Sequence, residues 1–208
     1  MINIYFDTEF TQLCKNTTLI SIGLIADNGR YFYAEFTDYN KDLVNDWIEE
    51  NVIANLKFKD DNYNNYYAKS IFNHKNDYCD MYKNVCCVEC KGSKSFISNE
   101  LIKWLKGFDA TEDNYIQFVS DVCNYDFVLI IDLLWGCALY APNWISPYCH
   151  DINQDIASYY HISDKEAFDM TREDMVAFGE DERCKHNSLY DARVIKAIYQ
   201  LINNKEEA

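Results

Sequence analysis

Apolar positions along the chain follow two rhythms. Continuous or alternating runs occupy residues 1–10, 17–26, 30–36 and 115–120, the pattern of buried or half-buried β-strands. The second and third runs flank Asp27-Asn28-Gly29, a hairpin turn signal, so with the first run they predict a sheet that begins with three antiparallel strands. Recurrence at steps of three or four marks helices. One is expected over residues 41–56 (Leu43, Trp47, Ile48, Val52), a second over 95–107 with Gly107 as its stop, and a last one over 188–203 (Leu189, Ala192, Ile195, Ile198, Ile202). Residues 125–135 are apolar around most of the helical circumference, which predicts burial between the sheet and another layer. The segment 141–181 carries both prolines and two weaker helical stretches, 152–160 and 164–178.

Residues 57–93 follow neither rhythm. Lys, Asp, Asn and Tyr dominate, then come His74, Cys79, Cys86, Cys87 and Cys90, so the segment reads as an insertion or excursion from the core. Cys87-x-x-Cys90 with His74 and Cys79 upstream admits a zinc site, although the spacing matches no standard finger closely; partly buried thiols in a tyrosine-rich loop are the preferred alternative.

Composition narrows the class. The 208 residues are 49% hydrophobic and 16% aromatic, with six glycines and two prolines, as expected of one folded domain. No apolar run is long enough to span a membrane, and the first residues lack the basic and apolar regions of a signal peptide, so the expected location is cytoplasmic. There the nine cysteines are expected as thiols. A net charge of −15 argues against a broad electrostatic grip on nucleic acid. A phosphate could enter only where bound cations invert the local field.

Several acids stand where that could happen. Asp7 and Glu9 are two apart at the end of the first strand and therefore share a face. Asp126 opens the helix after residues 115–120, and Asp191 lies in the first turn of the last helix, with His186 in the loop before it. Each has an ordinary reading alone: Asp126 as a helix-dipole partner, and Ser188-x-x-Asp191 as a capping box. Order, spacing and context together point to one site.

At these residues the chain resembles the DEDD superfamily of 3′-5′ exonucleases, in its His-containing DEDDh subgroup. Phe6-Asp-Thr-Glu-Phe10, the segment from Val119 to Asp126, and His186-Asn-Ser-Leu-Tyr-Asp-Ala192 are similar to its three motifs. Asp121 competes with Asp126 for the second, and Tyr125-Asp126 matches the motif's aromatic-Asp pair. Within the subgroup the likeness is to small bacterial and phage 3′-exoribonucleases described as polyadenylate-specific. It covers residues 1–56 and 94–203 and implies a ribonuclease-H-like α/β fold: a mixed sheet with three antiparallel leading strands and helices on both faces, one exonuclease domain over 1–208 with 57–93 inserted.

The resemblance further implies metal-dependent hydrolysis of single-stranded RNA to nucleoside 5′-monophosphates. Asp7, Glu9, Asp126 and Asp191 would hold two divalent cations, Mg²⁺ or Mn²⁺, with Asp7 bridging. His186 would act as general base with its pKa raised by flanking anions, and Thr8 and Phe10 would contact the substrate. Homodimers are also implied. Two rival readings are an exonuclease acting on single-stranded DNA or very short oligonucleotides, and a non-catalytic nucleic-acid-binding module using residues 57–93 as its contact surface.

Overall fold

Side-chain alternation on the first strand sets the layers. On β1 (Ile2–Phe10), Ile4 and Phe6 face one hydrophobic core while Tyr5 faces another. The computed structural model describes residues 1–58, 67–72, 85–176 and 185–203. Next to β1 lie β2 (Leu19–Ala26) and then β3 (Tyr31–Phe36), each antiparallel to its neighbour, as the hairpin signal predicts. On the other side, β6 (Ile116–Ser120) runs parallel to β1, and β7 (His150–Asp151) parallel to β6. Beyond β3 come β5 (Val85–Gly92), parallel to it, and β4 (Tyr67–Phe72), antiparallel to β5. Among the described residues the sheet has seven strands in the order β4-β5-β3-β2-β1-β6-β7.

Helices cover both faces. α2 (Lys94–Lys106), capped by the Ser93 side chain, packs with α3 (Asn124–Trp135) on the Ile4 and Phe6 face. α4 (Ile152–Tyr160), α5 (Asp164–Phe168) and α6 (Ser188–Asn203) cover the Tyr5 face. Leu189, Ala192, Ile195 and Ile198 of α6 are all buried, so its predicted stripe is its packing face. α6 presses closest at its first turn. A Cβ at Gly23 of β2 would lie 2.3 Å from the Leu189 backbone nitrogen, and the Ser21 and Ser188 hydroxyls bond at 2.9 Å. Gly23 is also the residue paired with Asp7 in the β1–β2 register. Only glycine lets the helix backbone reach the sheet there, which brings Asp191 down beside Asp7.

Four expectations change. The helix expected over 41–56 is three short pieces: a 3₁₀ turn (Lys41–Leu43), α1 (Asp46–Asn51) and a second 3₁₀ turn (Ile53–Asn55). The Asn40 and Asn45 side chains each cap a new start, so the local side-chain bonds interrupt the helical ladder. α3 is a surface helix rather than a buried one, since Val128 is 65% exposed. The stretch 164–178 is helical only as α5, followed by a 3₁₀ turn (Glu173–Met175).

The excursion at 57–93 contributes β4 and β5, which the residue pattern did not reveal. Cys87 and Cys90 are three apart on β5, hence on opposite faces of the strand, and both are buried. A shared zinc ion through that pair is therefore excluded. His74 and Cys79 lie outside the described residues. No helix among the described residues is long and apolar enough to cross a membrane.

Candidate active site

The site forms where three elements end together. β1 carries Asp7 and Glu9 past the end of its pairing with β6, the first turn of α3 presents Asp126, and the first turn of α6 presents Asp191. One carboxylate oxygen from each of Asp7, Glu9 and Asp191 lies within 4.8 Å of the others; among the described residues no other group of His, Cys, Asp and Glu converges in this way. Asp126 lines the same cleft, of about 650 Å³, but is not in that trio. It is 8% exposed, and its Oδ1 accepts bonds from the Thr8 hydroxyl at 2.5 Å and the Thr8 N–H at 3.1 Å. Thr8 is thus buried behind the site and braces Asp126.

The turn that aims Asp126 is itself held. Val122 adopts a left-handed φ of 50°, and the Val122 and Cys123 N–H groups donate to the two oxygens of Asp151 at 3.0 and 3.2 Å. Asp121, the competitor for the motif acid, is committed elsewhere. Arg172 clamps both its oxygens, from Nε at 2.6 Å and Nη2 at 2.9 Å. In these roles Asp151 and Arg172 carried no signal in the sequence, because Cys123 and Asp121, which they hold beside the site, are 28 and 51 residues away.

Electrostatics mark the cluster as short of positive charge. Burial first, then the neighbouring carboxylates Asp191 and Asp126, push Glu9 up to about 9. Burial and the Glu173 charge push Asp191 up to about 8, against the opposing effects of Lys185 and the His186 N–H. Asp7 is raised well above the carboxylate range by burial, with Asp191, Asp126 and Glu9 adding repulsion. Asp126 is raised by burial, with the Thr8 bonds opposing. Like-charged acids in one desolvated cleft hold protons unless a cation replaces them. Four hard oxygen donors of this kind fit Mg²⁺ or Mn²⁺.

His186 stands in the loop before α6, half-buried, with its ring edge-on to Trp47 at 5.1 Å between centroids. Its pKa is lowered, first by burial and then by Lys185, with Glu173 opposing. This reverses the expected upward shift: the desolvation of the ring outweighs the anions. Ser188 does not take the capping role that its spacing to Asp191 allows. It bonds to Ser21, and the side chain capping α6 is Asn187, whose Oδ1 accepts from the Tyr190 N–H at 3.3 Å.

The cleft continues away from the acids along Phe10, Gln12, Leu13, Asn45 and Trp47. Phe10 stacks on Tyr125 with centroids 5.8 Å apart and an interplanar angle of 21°. On the other side a smaller hollow of about 380 Å³ adds Arg172, Glu173 and Lys185; Asp7, Asp121, His186 and Asp191 border both.

No family model matches the sequence. Two curated proteins from two strains of Mycobacterium tuberculosis, each named a 3′-5′ exoribonuclease, are 35% identical to it over 52 residues, which is 25% of this chain. The chain matches about a third (31%) of the length of those relatives. Among solved structures, Schizosaccharomyces pombe Pop2p in its Mg²⁺- and Mn²⁺-bound form superposes with a TM-score of 0.56 at 14% identity, covering 98% of this chain and 83% of that one. That likeness shows the fold, which is ribonuclease-H-like.

Proposed function

We propose that this chain is a DEDDh-type 3′-5′ exoribonuclease that trims single-stranded RNA to nucleoside 5′-monophosphates and depends on two divalent cations. One observation carries the reading: oxygens of Asp7, Glu9 and Asp191 fall within 4.8 Å of one another, in a cleft that Asp126 and His186 also line. Asp7, Glu9, Asp126 and Asp191 would hold the ions, Mg²⁺ or Mn²⁺, with Asp7 shared. When bound, such ions polarise the scissile phosphate and neutralise charge on the leaving 3′-oxygen.

The chain's own groups do the rest. His186, kept neutral near pH 7 by burial, is able to accept a proton from the attacking water. Thr8 fixes the rotamer of Asp126 through two bonds to one oxygen, which leaves the other oxygen free as a ligand. Phe10, supported by Tyr125, and the exposed Trp47 offer ring faces against which bases stack without regard to identity.

Incubation of the purified protein with 5′-labelled oligoribonucleotide and Mn²⁺ or Mg²⁺ should give a ladder shortening from the 3′ end, absent with EDTA and in Asp7→Ala. Unchanged RNA with every metal tried overturns the proposal.

A second reading, for very short oligonucleotides, has its own support. Among the described residues the larger cleft is lined by no Lys or Arg, and of the two cations in the adjoining hollow Arg172 is already bound to Asp121, Asn153 and two carbonyls. With so few phosphate contacts on offer, length adds little affinity. Turnover of a dinucleotide against a several-fold longer strand, each as RNA and as DNA, separates the readings.

A further inference from the structure

His186 holds a left-handed backbone, with φ of 60°. A residue with a Cβ keeps that conformation only where its surroundings impose it. Here the surroundings are a ring of amide bonds around the loop. On its amino side, Asn55 Nδ2 donates to the Lys185 carbonyl at 2.9 Å. On its carboxyl side, Asn187 Nδ2 donates to the Asn55 carbonyl at 3.3 Å and to the Tyr33 hydroxyl at 3.4 Å.

Tyr33 in turn donates to Glu35 at 2.8 Å. The same Glu35 oxygen accepts the N–H groups of Lys57 at 2.6 Å and Phe58 at 3.0 Å, just after the 3₁₀ turn that carries Asn55. The two Asn187 bonds are weak singly. Closed into a ring through a buried carboxylate, they leave the loop no independent freedom.

We propose that Asn55 and Asn187 are positioning residues: their reciprocal amide clasp holds His186 in its left-handed conformation and so aims the imidazole into the cleft. This rests on the reading of His186 as the general base. The clasp also ties the base to the cleft wall, because Asn55 lies just beyond α1, whose Trp47 packs edge-on against the His186 ring. None of the clasp residues lies among the acids of the cluster, so the device acts on proton transfer and not on cation binding.

The test uses the full chain. Asn187→Ser removes the amide but keeps an oxygen to cap α6, and Asn55→Leu removes the other amide without adding charge. Each should lower kcat on an oligoribonucleotide at least tenfold, with KM and the Mn²⁺ concentration for half-maximal thermal stabilisation changed less than twofold. In a His186→Ala background, assayed for its residual rate over long incubation, the same substitutions should lower the rate no further.

Two folded variants with kcat within twofold of wild type overturn the clasp, and so does an equal fall in the His186→Ala background, which would mark the amides as general scaffold. A His186→Ala protein of undiminished activity overturns the base assignment, and the clasp as its device. A crippled His186→Ala with unimpaired amide variants overturns the clasp alone.

Discussion

Two groups of buried acids share one sheet and differ in what surrounds them. Glu35 on β3 and Glu89 on β5 are 1% and 5% exposed, and each has donors from the protein on one carboxylate oxygen. Glu35 accepts from Tyr33 and from the Lys57 and Phe58 N–H groups, while Glu89 accepts from the Tyr31 hydroxyl and the Lys57 ammonium. At the other group, Asp7 and Glu9 receive no hydrogen bond from any described residue, and each feels mainly burial and other carboxylates. The first group is architecture: donors inside the protein hold one oxygen of each acid, and Glu35 Oε2 stays without a partner among the described residues. In the second, Asp7 and Glu9 have no protein donor on either oxygen among the described residues, and that deficit, rather than acidity, marks the candidate site.

Exchanging the two roles gives the largest expected effect. On the proposed function, Asp7→Asn should lower exonuclease activity on the order of a thousand-fold, since it would remove a ligand of the bound cations. It should also raise the melting temperature of the metal-free protein, because one of several repelling acids is gone. Glu35→Gln should do the opposite, destabilising by about 1–3 kcal/mol through donors left without their charged acceptor. Calorimetric melting beside the cleavage assay reads both, and equal behaviour of the two variants breaks the contrast.

Gly23→Ala should follow in size. A Cβ driven to 2.3 Å from the Leu189 nitrogen forces α6 away from β2 and carries Asp191 with it. A cost of about 1–3 kcal/mol is expected from overpacking, with weaker Mn²⁺ binding as the specific sign.

The dependence on pH is smaller and has a definite sign. Glu9 at about 9 and Asp191 at about 8 hold protons that the unfolded chain releases near pH 4. Between those limits the folded, metal-free protein binds more protons than the unfolded one, so its stability is full at low pH and falls as pH rises toward 9. Added Mg²⁺ should flatten that slope. An unchanged slope would sink the idea that the ions complete the cluster.

Smallest is Asp121→Asn, which loosens the Arg172 clamp at the cleft's border. A few-fold effect on rate is expected, against near-complete loss in Asp126→Asn; comparable losses would reopen the choice between the two acids.

Much of this site was legible because its signals are local. Strand alternation put Asp7 and Glu9 on one face, and the period of α6 fixed where Asp191 begins its helix. What escaped notice depends on distant partners. β5 is rich in cysteine and joins the sheet through parallel pairing with β3, so no turn announced it. The helix expected over 41–56 gave way to asparagine caps, and Ser188 lost the capping role to Asn187 because β2 offers Ser21 to it. His186 was assigned the wrong direction of shift, since charge is visible in a sequence and desolvation is not.

The crowding of Asp7, Glu9 and Asp191 has a thermodynamic corollary. Because Glu9 and Asp191, raised to about 9 and about 8, hold protons at neutral pH, cation binding as proposed would be an exchange reaction in which protons leave as the divalent ion enters. Titrations in buffers of different ionisation enthalpy will therefore report different apparent heats for the same event, and a weakly buffered solution will acidify as the protein fills.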